Sequence, residues 1–84
     1  MTSRTILIVD DDEDLRSTLV EQLSLYEEFD VKQETTAAKG IATVRGGMID
    51  LLIMDVGLPD MDGREAVKVL RKGGYKAPVI MLTG

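Results

Sequence analysis

The chain has no cysteine, so neither disulfides nor thiolate metal sites hold its fold. Small secreted folds usually need such staples, and the cytoplasm is therefore the expected compartment. No apolar run approaches membrane-spanning length, and Met1-Thr2-Ser3-Arg4 leads into only a few apolar residues before an acidic cluster, too short for a signal peptide. A soluble protein without membrane contact is expected. Positive charge is also scarce: 10 Lys and Arg face 15 Asp and Glu, and the net charge of -5 argues against a nucleic-acid surface in this segment. Any DNA contact would have to come from elsewhere. At 84 residues the chain makes one small domain whose core is possible but marginal.

What is present is ordered. With 44% apolar and 30% charged residues the composition is that of a globular chain. Thr5 to Val9 is a β-branched apolar run that stops at Asp10-Asp11-Asp12-Glu13-Asp14. Asp12 can cap the helix that follows, with Glu13 and Asp14 near its positive end; Leu15, Leu19, Val20, Leu23 and Tyr26 recur at helical spacing and are expected to face a sheet. Phe29 to Glu34 alternates as a half-exposed strand does, which suits a sheet margin. Thr35 and Thr36 offer a cap for a helix from Ala37 to about Arg45, with Ala38, Ile41, Ala42 and Val44 inward and Gly46-Gly47 at its end. Gly40 weakens that helix by about 1 kcal/mol relative to Ala.

Ile49 to Met54, interrupted only by Asp50, reads as a strand buried on both faces that delivers Asp55 to its carboxyl end. A Gly/Pro/Asp loop follows, then a helix from Arg64 to about Lys72 with Ala66, Val67, Val69 and Leu70 at helical spacing, ended by Gly73-Gly74. Pro78 to Leu82 is a fourth strand, with its proline at the tolerated first position, and runs out at Thr83-Gly84. The order is βαβαβαβ, which right-handed crossovers convert into a parallel sheet with helices on both faces.

In an open parallel α/β sheet the reacting crevice lies outside the carboxyl ends of the strands. Asp10, Asp11 and Asp55 would then converge from neighbouring strand ends. Like charges so close raise one another's pKa unless a cation offsets them, and a hard divalent ion takes carboxylate, carbonyl and water oxygens. An isolated acidic run such as Asp10 to Asp14 would be no more than a solvated helix cap; the matching acid at Asp55 makes a metal site the better reading. Gly57 would let a backbone carbonyl approach that ion, and Asp60-Met61-Asp62-Gly63 reads as a turn and helix start. Thr83 would bring a hydroxyl to the same edge, within reach of an anion attached to Asp55.

Three stretches, Ile6-Leu7-Ile8-Val9-Asp10-Asp11, then Leu52-Ile53-Met54-Asp55 through Gly63, then Pro78-Val79-Ile80-Met81-Leu82-Thr83-Gly84, closely resemble the receiver domain of two-component response regulators. The likeness runs from Thr5 to Gly84. It implies an α/β fold, a flavodoxin-like doubly wound parallel sheet with strand order 2-1-3-4. It also implies that Asp55 accepts a phosphoryl group from a phosphohistidine on a sensor histidine kinase or histidine phosphotransfer protein, making the chain a signalling module rather than an enzyme. By the same resemblance Asp11 ligates Mg²⁺ (or Mn²⁺) directly, Asp10 acts largely through water and the Gly57 carbonyl completes the protein ligands. Thr83 matches the switch hydroxyl and Gly84 the small residue beside it. The first helix docks the phosphodonor in this family, which singles out Asp14, Leu15 and Thr18.

The family ordinarily continues through a helix, a fifth strand ending in a lysine, and a last helix, none of which follows Leu82 here. The expectation is a partial receiver domain, residues 1–84, whose Val79 to Leu82 edge is buried by a second copy through strand pairing or segment exchange. A haloacid-dehalogenase-like phosphohydrolase, with Asp10 as nucleophile, is the alternative; it leaves Asp55 to Gly63 without a role. An EF-hand reading of Asp10, Asp12, Asp14 and Glu21 fails at Leu15, where glycine is needed, and at the preceding strand.

Overall fold

The computed structural model describes residues 3–82. Seven elements alternate as expected: β1 (Arg4–Val9), α1 (Glu13–Leu23), β2 (Phe29–Glu34), α2 (Ala37–Gly46), β3 (Leu51–Asp55), α3 (Gly63–Lys72) and β4 (Val79–Leu82). The strands form one parallel sheet in the order β2-β1-β3-β4, the flavodoxin-like arrangement. The alternating strand Phe29–Glu34 lies at one margin and β4 at the other, which leaves the two most deeply buried strands, β1 and β3, in the centre.

Side-chain alternation along those central strands divides the core. Leu7 and Val9 of β1, with Leu52 and Met54 of β3, point to the face that α2 and α3 cover, where Ala37, Ile41, Val44, Ala66 and Leu70 meet them. Ile6, Ile8 and Ile53 point to the other face, under Leu19, Val20 and Leu23 of α1. Both faces of β1 and β3 are thus dry. Asp55, the last residue of β3, and Asp10, directly after β1 with its N–H donated to the Glu34 carbonyl, are consequently held on rigid backbone.

Helical spacing overreached in three places. Leu15 is 42% exposed and Tyr26 55% exposed, because α1 stops at Leu23 with Ser24 as its cap and only its last two turns lie over the sheet. The Tyr26 ring instead meets Phe29 at 5.6 Å, outside the main core. In α2 the inward positions are Ala37, Gly40, Ile41 and Val44; Ala38 and Ala42 face solvent. Val69 of α3 is likewise exposed. Asp50 ends up outside the strand, closing a ring with the sheet's other end: Thr5 N–H donates to its Oδ2 (2.7 Å) and its own N–H donates to the Thr5 carbonyl (2.8 Å).

Gly40 has a packing reason. A Cβ there would lie 2.7 Å from Cγ2 of Val9, a β-branched, fully buried side chain that cannot swing aside. Gly40→Ala should therefore lose about 1–2 kcal/mol by overpacking despite the gain of about 1 kcal/mol in helix propensity. A urea midpoint lower than that of the parent is the expected result; a higher one would show that α2 sits more loosely on β1 than this contact implies.

Candidate functional site

Parallel register brings the acids together. Val9 pairs with Met54, so the residues one step further on, Asp10 and Asp55, emerge side by side at the carboxyl edge, with Asp11 next along the chain. Oxygens of these three carboxylates lie within 4.8 Å of one another. Asp10 is buried (1% exposed), Asp55 half-buried and Asp11 exposed, so the cluster opens outward. Asp10 Oδ1 accepts the Asp12 N–H at 2.9 Å, whereas its buried Oδ2 has no hydrogen-bond partner among the described residues. Burial raises the Asp10 pKa, and the negative charges of Asp55, Asp11 and Asp12 raise it further against the opposing pull of the Asp12 N–H. A buried acceptor left unpaired costs of order 1–3 kcal/mol. A hard divalent cation fits this donor set: it would satisfy the orphan oxygen and cancel the repulsion together.

The surrounding backbone is tied down by side chains that do not belong to the cluster. Arg16, one helical turn into α1, donates from Nη1 to the Asp10 carbonyl (2.8 Å) and from Nε to Gln33 Oε1 (2.9 Å), linking the acidic corner to β2. Asp12 caps α1 through the Leu15 N–H (3.1 Å). On the β3 side, the loop from Val56 to Asp62 closes on itself: Gly57 bridges to Asp62, and the Gly63 N–H donates to the Val56 carbonyl at 2.9 Å. Asp62 caps α3 through the Arg64 N–H and pairs with the Arg64 guanidinium at 2.7 Å, which holds its pKa down at about 2. A Cβ on Gly57 would lie 3.9 Å from Asp55 Oδ2, so this stretch of backbone passes beside the carboxylate. Leu58 turns inward into the core on the α2 and α3 face.

Of the residues singled out by sequence, Asp10, Asp11 and Asp55 are brought together and Gly57 lies against Asp55. Thr83 and Gly84 lie outside the described residues. Asp14, Leu15 and Thr18 are all exposed on α1. The EF-hand reading is excluded by a strand, not a helix, before Asp10. Two contributors went unnoticed: Arg16, and Asp60, whose carboxylate accepts from the Ala37 N–H (2.9 Å) and the Ala38 N–H (3.0 Å) at the start of α2. Arg16 had a faint signal in an arginine one turn past an acidic cap. Asp60 had none, since its partners lie more than twenty residues back in the chain.

Comparison with known proteins agrees with this geometry. The family model described as the response regulator receiver domain matches residues 6–84. The uncharacterized transcriptional regulatory protein YkoG of Bacillus subtilis is 36% identical over 78 residues, covering 93% of this chain and 34% of its own length. The transcriptional regulatory protein PmrA of Pectobacterium parmentieri is 37% identical, covering 93% and 35%. The chain thus spans about a third of the length of the curated relatives it matches. Among solved structures, the response regulator TrrA of Thermotoga maritima, in complex with Mg²⁺-BeF, superposes with a TM-score of 0.88 at 30% identity over 95% of this chain and 69% of the other.

Proposed function

The chain belongs to the response regulator receiver domain family, and from that premise we propose that it is a cytoplasmic phosphoacceptor in two-component signalling. In this reading an Asp55 carboxylate oxygen attacks the phosphorus of a phosphohistidine on a sensor histidine kinase or histidine phosphotransfer protein. The new bond joins Asp55 oxygen to phosphorus, and the phosphorus–nitrogen bond breaks as the imidazole leaves. Asp55 is suited to this by half-burial at the end of a central strand, which fixes its direction of approach and leaves one side open.

Asp10, Asp11, Asp55 and the Gly57 carbonyl are the candidate groups to hold Mg²⁺ (or Mn²⁺), Asp11 and Asp55 directly and Asp10 from behind them, its orphan Oδ2 reaching the ion or a water on it. Bound there, the ion would neutralise the acidic corner and the oxygens of the incoming phosphoryl group. The single observation that supports the reading most is the orphan Oδ2 of Asp10 inside a carboxylate triad. The Mg²⁺-BeF complex of TrrA adds support from a relative. Thr83 is assigned the switch hydroxyl, and the exposed α1 residues Asp14, Leu15 and Thr18 the donor-docking surface. In the presence of Mg²⁺ and acetyl phosphate the protein should gain one acid-stable, base-labile phosphoryl group, mapped by peptide mass to Asp55; a lack of labelling would remove this function.

The outer edge of β4 has no strand partner among the described residues, and Ile80 on that strand is 49% exposed. We assign this edge to pairing with a second copy, either strand to strand or by segment exchange. Light scattering should show mass rising with concentration, and a constant monomer mass across the range would overturn the assignment.

A further inference from the structure

The β3–α3 loop is anchored at both ends, by β3 itself and by the Asp62 cap of α3, but those anchors do not explain why its middle stays in place. Its apolar tether is Leu58, in the core on the α2 and α3 face. Its polar tether is Asp60. Each oxygen of that carboxylate takes one of the first backbone N–H groups of α2, Oδ1 from Ala37 and Oδ2 from Ala38, while the third, that of Lys39, goes to Thr36 Oγ1 at 3.2 Å. Thr36 is the local cap any helix start can supply. Asp60 is a second cap brought in from a distant loop, and both its bonds cross from the loop beside Asp55 to another element.

We propose that Asp60 is a positioning residue for the metal site: by clasping the first turn of α2 it holds the loop between Asp55 and α3 so that the Gly57 backbone stays beside the Asp55 carboxylate. The inference rests on the proposed role of that site. Its physical basis is a two-point attachment, because a carboxylate held by two parallel N–H groups cannot pivot as one held by a single bond can. The helix dipole adds attraction for the negative charge, and the two amides hold the Asp60 pKa below its ordinary value, so the clasp is charged at neutral pH. The other side of the clasp is equally firm. The helix is pressed onto β1 where Gly40 lies against Val9, the residue just before Asp10. The two halves of the metal site, the end of β1 and the loop after β3, are thereby joined through α2 as well as through the sheet.

Removing this support should weaken metal binding without touching a ligand. Supporting groups of metal sites typically matter by about 10–100-fold in affinity, and Asp60→Ala is expected to raise the Mg²⁺ dissociation constant by about tenfold. Asp60→Asn, which replaces one of the two acceptor oxygens by an NH₂ that cannot accept, should fall between. The discriminating control is Thr36→Ala, which strips the other cap from the same helix turn and leaves the loop alone: its urea midpoint should fall as for Asp60→Ala, but its Mg²⁺ affinity should stay within about twofold of the parent. Binding is read by titrating Mg²⁺ alone and following amide NMR shifts of Asp11 and Gly57. Equal Mg²⁺ affinity in the parent and both Asp60 variants overturns the clasp and leaves the site intact. Equal losses in Thr36→Ala and Asp60→Ala overturn it too, by showing that helix stability alone governs the site. Failure of the parent to bind Mg²⁺ overturns the reading of the site and this inference with it. Should Asp60→Ala not fold, the Asn variant carries the same comparison.

Discussion

Asp55→Ala should abolish phosphoryl incorporation from acetyl phosphate, whereas Asp10→Ala should slow it and leave the adduct on the same residue. This contrast follows from the different jobs the two carboxylates are given by their surroundings. Asp55 is half-buried, with one side open, and among the described residues no hydrogen bond is donated to its side chain, so its oxygens are available to attack. Asp10 is walled in, one oxygen already bound to the Asp12 N–H, and it has no approach for a phosphoryl group. In the proposed reading its contribution is to the ion, so Asp10→Ala should weaken Mg²⁺ binding by about tenfold or more. Neither variant should unfold, since each removes a like charge from a repulsive cluster. The phosphohydrolase alternative predicts the reverse pattern, label surviving at Asp10 in the Asp55 variant. Peptide mapping of the base-labile adduct in both proteins decides between them, and retention of label in Asp55→Ala would end the receiver reading of the site.

The acidic site was legible because it depends on features that sequence displays directly. Apolar runs that end in acid specify strands with carboxylates at one edge, and parallel order follows from alternation with helices, so Asp10 and Asp55 had to meet. Phe29–Glu34 was legible as a margin for a similar reason, its alternation of apolar and charged residues. Burial within short helices was less so. Ala37, Ala38 and Ala42 are the same residue type and carry no hydropathy difference, and only contact with β1 selects the face containing Ala37 and Gly40. Leu15 and Tyr26 fit the period of α1, yet period says nothing about how far a helix extends past the sheet. What stayed hidden was long-range attachment: Arg16 to the Asp10 carbonyl, and Asp60 to α2. Such bonds link positions distant in the chain through groups that every loop contains, so no local pattern announces them.

Gly63→Ala should be the most damaging single methyl group added near the site. Gly63 is buried as the first residue of α3, and its N–H is committed to the Val56 carbonyl at 2.9 Å. A Cβ at that position would overlap the backbone carbonyl oxygen of Asp55, 2.8 Å from the carbonyl carbon and 3.1 Å from Cγ of Met54. None of these atoms can yield cheaply. The Asp55 carbonyl is part of β3, held between β1 and β4, and Met54 is fully buried. Relief must come from α3 backing away from the sheet, which opens the core around Ala66 and Leu70, or from the end of β3 bending, which turns Asp55 out of the triad. Overpacking of this kind costs about 3 kcal/mol. At about 4–8 °C per kcal/mol for a domain of this size, the thermal midpoint should drop by about 15 °C. Gly46→Ala is the matched control, with open space around its Cβ and an expected change within about 0.5 kcal/mol. The route of relief is readable as well. If the strand end bends, Gly63→Ala loses labelling at Asp55 even at temperatures where it is folded; if the helix retreats, labelling persists while stability falls. An unchanged midpoint would mean that α3 does not rest on the Asp55 carbonyl, and with it would go the account of how the acceptor is held in line.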